Sequence, residues 1–334
     1  MLKFILKRIL WMIPVMLGVL FLVFTINYFT PGDPVVSLLG SNYTQEQYDA
    51  KAQELGLDKP FFTQFFNYVK GLILEGDLGT SYSTKRPVKE ELSQRFPTTI
   101  KLGIMGVCVT LIIGIPLGVI SATHHQKALD YTLSTGAILF AAVPGFWLAL
   151  MSMVVFCFHL QWLPASGLET WKHYILPVAC AGLSPVSSVL RMTRSSMLEV
   201  IRQDYIRTAR AKGLKEGVVI RRHALKNALI PVITVVGLQL SLIMGGAILI
   251  ETIFSIPGIG AWMNTAIQTK NHPVVQSGVL VISLSVSLMN LLVDIAYAVV
   301  DPRIRSQFSG GGKRKKKAKE VKPAVEGGAA NAGA

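Results

Sequence analysis

Charge is scarce in this chain. Only 16% of its 334 residues are Asp, Glu, Lys or Arg, against about 25% in an average soluble protein. An ordinary soluble domain is excluded on that ground. Cysteine is scarcer still: Cys108, Cys157 and Cys180 all lie inside apolar stretches. That placement argues against a disulfide framework or a zinc site and favours buried thiols acting as small hydrophobes. Motifs of the common enzymes are missing too. No G-x-x-x-x-G-K-[ST] occurs, so the chain is not expected to bind and hydrolyse ATP in that way. No G-x-S-x-G supplies a serine elbow. His124, His125, His159, His173, His223 and His272 are scattered, and none stands in an H-E-x-x-H arrangement. No catalytic, cofactor-binding or metal-ligating residue is therefore expected. Asn42-Tyr43-Thr44 matches a glycosylation acceptor, which matters only in a secretory pathway.

What the chain has in abundance is long apolar runs. About 20 consecutive apolar residues cross a bilayer core, and residues 10–29, 98–120, 132–158, 228–251 and 274–300 meet that length. Residues 174–192 form a sixth, weaker candidate interrupted by prolines and serines. The charges supply the reason to count it. Lys3, Lys7 and Arg8 place the N-terminus inside, and Arg303, Arg305 and the lysine-rich tail place the C-terminus inside. Both termini on one side require an even number of spans. The expected fold is an all-α membrane protein with about six transmembrane helices and a small helical external segment between the first and second.

Residues 194–227 carry nine Lys/Arg against Glu199, Asp204 and Glu216, a net charge of +6, and are assigned to the cytoplasm. Residues 31–97 carry a net charge of −2 and fall outside. His124, His125, Lys127 and Asp130 mark a short inner turn. Much of the overall +14 is thus topology. Interleaved spans leave no basic domain for nucleic acid. The first span lacks a small-residue cleavage site and is retained as an anchor.

Thr44-Gln45-Glu46-Gln47 has the form of a capping box, and Gly56 is a plausible helix stop. A second external helix places Phe62, Phe65, Phe66, Val69 and Ile73 on one face, either packed on the outer ends of the spans or laid in the lipid interface. Pro14, Pro116, Pro144, Pro177 and Pro185 permit kinks. Gly114 and Gly118, Gly237, Ser241 and Gly245, and Ser283 and Ser287 form small-residue stripes suited to close helix packing or to a moving gate. Beyond Gly310-Gly311-Gly312, the run Lys313-Arg314-Lys315-Lys316-Lys317 opens a tail with too few apolar residues to fold.

Polar residues within apolar spans raise a functional question by default. Lys101 snorkels at the outer end of the second span. Glu251 closes the fifth span. Asp294 either pairs with a loop arginine or a partner's cation, or reaches the inner surface. Gln239 and Asn290 lie deeper, and with Ser241, Gly245 and Asp294 they are candidates for lining a solute pathway or for helix packing.

Several ordered fragments resemble the inner-membrane permease subunits of ATP-binding-cassette importers for dipeptides, oligopeptides and nickel. They are Leu6-Lys7-Arg8-Ile9-Leu10 leading into Pro14, Phe29-Thr30-Pro31-Gly32-Asp33-Pro34, Leu55-Gly56-Leu57-Asp58-Lys59-Pro60 and Gly76-Asp77-Leu78-Gly79-Thr80-Ser81. Leu163-Pro164, Phe254-Ser255-Ile256-Pro257-Gly258-Ile259-Gly260 and the closing Asp294, Tyr297, Asp301-Pro302-Arg303 complete the set. The resemblance covers nearly all of residues 1–308 and not the tail. The apolar runs, charge balance and tail composition divide the chain into an N-terminal transmembrane anchor helix (1–30), an external helical segment (31–97), a five-helix permease core (98–308) with a cytoplasmic coupling loop (194–227), and a disordered basic tail (309–334).

The loop resembles the family's coupling segment. With Gly213 on the motif glycine, Ala209 and Leu225 also match the general importer pattern, whereas Arg207, Thr208, His223 and Lys226 depart from it. Arg207, Thr208, Ala209, Arg210, Ala211, Lys212, Gly213 and Leu214 look like the peptide-importer version. A short helix ending at Gly213, small at Ala209 and Ala211, suits a partner's groove, with Arg207, Arg210 and Lys212 paired to acids around it. The bland alternative is a basic loop resting on anionic lipid.

The resemblance implies a permease subunit of an ATP-driven importer, forming half of the translocation pathway for peptides or similar small solutes, and not an enzyme. It implies a second homologous permease subunit, two ATP-binding-cassette ATPases, an external solute-binding protein and the bilayer of the inner membrane as partners. No cofactor is bound by this chain, and ATP is used by the partner subunits. An ATPase-independent secondary transporter is the alternative.

Overall fold

The structure is a computed structural model that describes residues 2–40 and 42–300. The tail, the closing Asp301-Pro302-Arg303 and the C-terminal charges that set the topology lie outside the described residues. Among the described residues, helices make up the regular structure, apart from an isolated antiparallel bridge between Thr80 and Pro87.

The first long helix, α1 (Leu2–Phe29), is followed by the short helices α2 (Pro34–Leu39), α3 (Gln45–Glu54) and α4 (Phe61–Leu74). Local chemistry fixes their ends. Asp33 caps α2 by accepting from the Val35 amide, and Pro34 takes the first helical position, where no amide is needed. The capping box at Thr44 and Gln47 is present in full. Gly56 adopts φ +66° and lets the Leu57 amide reach back to the Ala52 carbonyl at 2.9 Å, which closes α3.

The face expected on α4 is divided. Phe65 joins Phe61 and Tyr68 against Phe21, Phe24 and Tyr28 of α1, with centroid distances of 5.0–6.1 Å. Phe62, Phe66 and Ile73 stay exposed. Only one side of a helix can meet α1, so a wide apolar face leaves residue surface over.

The remaining helices are α5 (Val88–Thr123), α6 (Ala128–Ala141), α7 (Gly145–Met153, continued by a π-helical turn, Val154–His159), α8 (Lys172–Leu183) and α9 (Val186–Ile201). Then come α10 (Asp204–Ala211), α11 (Glu216–Val218, continued by a π-helical turn, Val219–Ala224), α12 (Leu225–Ile253), α13 (Ile259–Gln268) and α14 (His272–Val300). Among the described residues, four helices are long and apolar enough to cross a membrane, and six spans result when each bent pair is one crossing. One pair is α6 with α7, bent by 91°; the other is α8 with α9, bent by 48°.

Residues 132–158, expected as one clean span, are therefore two half-helices. Of the five prolines expected to permit kinks, Pro144 and Pro185 sit at these breaks, while Pro14, Pro116 and Pro177 lie inside continuous helices. Burial is inverted relative to a soluble protein: α1 alone exposes Leu6, Leu10, Trp11, Leu22 and Phe29, as expected of a surface solvated by lipid.

The packing centre is α5 against α8 and α9. A Cβ on Gly114 would meet Val189 Cγ1 at 2.9 Å, and one on Gly118 would meet the Leu190 carbonyl oxygen at 2.8 Å. One on Gly182 would collide with the Gly106 carbonyl. These glycines bring helix backbones together, so the small-residue stripe on α5 serves packing. Gly237 does the same on α12, where a Cβ would run into Val293 of α14, whereas Gly245 faces open space.

Candidate coupling and translocation site

The basic loop begins inside α9, so its first turns belong to a span and its free portion starts at Arg202. Asp204 opens α10 with a negative charge in the first turn, favourable to the helix dipole. The helix ends where Gly213 takes φ +76° and its amide reaches the Arg210 carbonyl at 2.9 Å. A Cβ at Gly213 would meet nothing within 4 Å. Glycine is needed there for backbone conformation and not for space.

Two residues of α10 are buried, Ile206 and Ala209, three apart and hence on one face. They pack with Ala122 of α5, Met197 of α9, and Val219, Ile220 and Ala224 of the turn before α12. This corrects the expectation for Ala209: its small side chain lets α10 lie close to its own bundle. The outward face consists of Tyr205, Arg207, Thr208, Ala211, Lys212 and Leu214. Arg210 is likewise reassigned. It forks onto Glu216 at 2.7 and 3.1 Å and closes the loop on itself. Arg207 is 74% exposed and Asp204 97%, so their 3.8 Å pairing leaves both open to a partner.

The candidate pathway residues separate in space. Ser241 donates to Asn290 Oδ1 at 2.9 Å and ties α12 to α14. Asp294 pairs with Arg8 of α1 at 2.9 Å, in place of the loop arginine or partner cation expected for it. Arg8 lies one helix surface away once α1 packs along α14, a neighbour that sequence separation conceals. Asn290 and Asp294 line a smaller cavity with Arg8 and Ser287 between α1 and α14, and Gln239 lies apart from them. It lines a cavity of about 290 Å³ together with Gly145, Phe146, Ser184 and Pro185. The breaks of both bent spans converge on this cavity, and irregular backbone at membrane depth is tolerated where it lines such a space.

Two carboxylates matter more than their sequence context indicates. Glu251 is fully buried and accepts from Thr99 Oγ1 at 2.6 Å, from the Gly260 amide at 2.7 Å and from the Ala261 amide at 3.1 Å. It satisfies the otherwise unpaired amides at the start of α13. A Cβ on Gly258 would collide with this carboxylate, and one on Gly260 would meet it at 2.9 Å, which explains the glycines of Phe254–Gly260.

Asp130, in the first turn of α6, is 2% exposed. Arg194 of α9 forks onto it, with Nε at 2.7 Å from Oδ1 and Nη2 at 2.8 Å from Oδ2. Ser121 of α5, the Gln126 amide, His125 and Ser134 of α6 complete its shell. A scarce acid opening an apolar helix was the sequence signal for Asp130; its partner is 64 residues away. At the other end, Lys101 lies over the Tyr174 ring at 4.3 Å, a cation–π contact beyond simple snorkelling.

Among the described residues, no cluster of three or more His, Cys, Asp or Glu side chains is placed to hold a metal ion. The site offers an exposed handle, a set of buried struts and an internal cavity.

Comparison with known proteins accounts for this combination. Residues 114–306 match the binding-protein-dependent transport system inner membrane component family, and residues 1–103 match its N-terminal companion. The chain is 42% identical to the dipeptide transport system permease protein DppB of Alkalihalophilus pseudofirmus, over 91% of this chain and 100% of that protein. It is 40% identical to DppB of Escherichia coli and to the glutathione transport system permease protein GsiC of Pectobacterium atrosepticum, each over 91% of this chain and 99% of the relative. Among solved structures, two inward-facing forms of the MetNI methionine ABC transporter share the fold. Their TM-scores are 0.53 and 0.56 at 17% identity, over 64% of this chain and 97% of the matched chain. The chain belongs to the binding-protein-dependent transport system inner membrane component family, as a multi-pass permease of the peptide ABC importer group.

Proposed function

We propose that this permease works with a second, homologous permease subunit, two cytoplasmic ATP-binding-cassette ATPases and an external solute-binding protein, importing short peptides or glutathione-like solutes. The dipeptide and glutathione relatives support that solute class. The observation that carries the mechanism is α10: an amphipathic helix whose inner face is locked to α5, α9 and the start of α12, and whose outer face is left open. Such a helix passes a push received outside to several spans at once. Closure of the ATPases on ATP moves α10, and the spans carry the shift to the cavity at Gln239, in the manner of rigid-element allostery. Hydrolysis resides in the partners, and this chain supplies the conduit. The Arg8–Asp294 pair joins α1 and α14 near the ends that the basic N-terminus assigns to the cytoplasm, in keeping with both termini lying there.

The test uses the full assembly in liposomes. Gly213→Val forces a β-branched residue into a left-handed conformation. Uptake and solute-stimulated ATP hydrolysis are expected to fall to background while the chain still inserts. Normal uptake in that variant would refute coupling through α10. Ion-gradient-driven uptake by this chain alone would establish a secondary transporter instead.

A further inference from the structure

The bent span α6–α7 is attached to the bundle unevenly. Asp130 and Ala137 are the buried residues of α6. Along part of its length a cavity of about 260 Å³ opens between it and α5, α8 and α9, lined by Leu117, Thr132, Gly136, Phe140, Leu183 and Leu190. Leu139 is 66% exposed. At its inner end, by contrast, Asp130 is held by groups from α5, from the intervening turn and from α9. At its other end α6 meets the 91° break, and Gly145 and Phe146 just beyond it line the cavity that holds Gln239. The α5–α9 pair to which Asp130 is fastened also carries Ala122 and Met197, the seat of α10.

We propose that α6 is a lever and that the Asp130–Arg194 ion pair is its pin, making both of them positioning residues for transport. Displacement of α10 moves the seat formed by α5 and α9. The fork from Arg194 compels the inner end of α6 to follow, while the loose packing along α6 lets the rest of the helix pivot. The break at Pro144 converts that pivot into a change in the lining of the Gln239 cavity. A forked ion pair suits this duty because its two-point geometry makes one helix follow the other, and separating it leaves a buried carboxylate without its partner, which is costly. The proposal rests on the importer reading above and adds the route by which the push reaches the pathway.

The experiment compares wild type, Asp130→Asn and Arg194→Lys in the reconstituted assembly, reading solute imported per ATP hydrolysed. Asp130→Asn is nearly isosteric and removes the charge. Arg194→Lys keeps the charge but loses the planar fork. In Asp130→Asn the ratio is expected to fall at least about tenfold while hydrolysis persists, with Arg194→Lys intermediate. An unchanged ratio in both, or uptake and hydrolysis falling in the same proportion in both, would overturn the pin.

A second reading needs no partner. A nitroxide at Leu139→Cys in the purified full chain should become more mobile when Asp130→Asn is added, while one at Ile112→Cys on α5 should not. Equal mobility at Leu139 with and without Asp130 would also overturn it. If the wild-type assembly lacked ATP-driven uptake, the importer reading would fall, and the nitroxide would still decide the pin.

Discussion

Each end of the bundle is fastened by a buried carboxylate, and the two are fastened in different ways. At the outer end Glu251 takes a hydroxyl and backbone amides as partners, with Gly258 and Gly260 cut back to admit it. Its partners are Thr99 of α5 and the first amides of α13, so α5, α12 and α13 are tied at one point by short bonds. At the inner end Asp130 takes a guanidinium on a long side chain, a hydroxyl, an imidazole and a single backbone amide, that of Gln126. Glu251 is held mostly by backbone amides and Asp130 mostly by side chains of separate elements, so the first joint is the stiffer and the second has more room to turn. On the proposed lever route the Glu251 end is held still, and the end beside the exposed α10 turns.

Substitutions can break that comparison. The largest expected effect is at Arg194: Arg194→Met leaves Asp130 buried without its charge partner, a loss of about 3–5 kcal/mol, measurable as a lowered unfolding midpoint of the purified chain. A midpoint shift no larger than that of a surface substitution would mean that the inner pair carries little load. Next comes the outer joint. Glu251→Gln puts an amide group where two backbone amides and the Thr99 hydroxyl need acceptors, and leaving a buried polar group unsatisfied costs about 1–3 kcal/mol. Stability should fall while solute imported per ATP stays at the wild-type value, because that joint holds and does not move. A changed ratio would erase the contrast between the ends.

Gly213→Val costs about 1–2 kcal/mol of local strain, a small loss of stability accompanied by a complete loss of uptake. Smallest of all is Thr44→Ala in the external cap. Removing the capping box should cost about 1 kcal/mol, visible as faster amide exchange in α3 with uptake unaltered.

What the sequence revealed depended on how local the determinant is. The capping box at Thr44 and Gln47 and the stop at Gly56 are contained within a few residues, and both were readable. So was the left-handed turn at Gly213. Proline positions were readable as permission to kink but not as outcome. Pro116 sits in α5, whose neighbours grip it through Gly114 and Gly118, while Pro144 sits in α6–α7, which has a cavity beside it. The difference lies in the surroundings, not in the residue. Asp294 was marked as unusual but its partner was not identified, because Arg8 is at the far end of the chain. The Asp130–Arg194 and Glu251–Gly260 contacts were unreadable for a related reason: each appears only once separate helices have packed. Ala209 was assigned to the wrong side of α10 because a small residue suits a close approach to either neighbour, and only the position of Ile206 on the same face tells which.

The central claim is that work enters this bundle through the outward face of α10. Its most direct test is a cysteine at Ala211, on that face, in the assembly with its ATPases. Oxidation should link Ala211→Cys to an introduced cysteine on a nucleotide-hydrolysing subunit, and the yield should change when ATP is bound. If Ala211→Cys forms no such link under any nucleotide condition and reacts instead with lipid-phase reagents, the claim is contradicted.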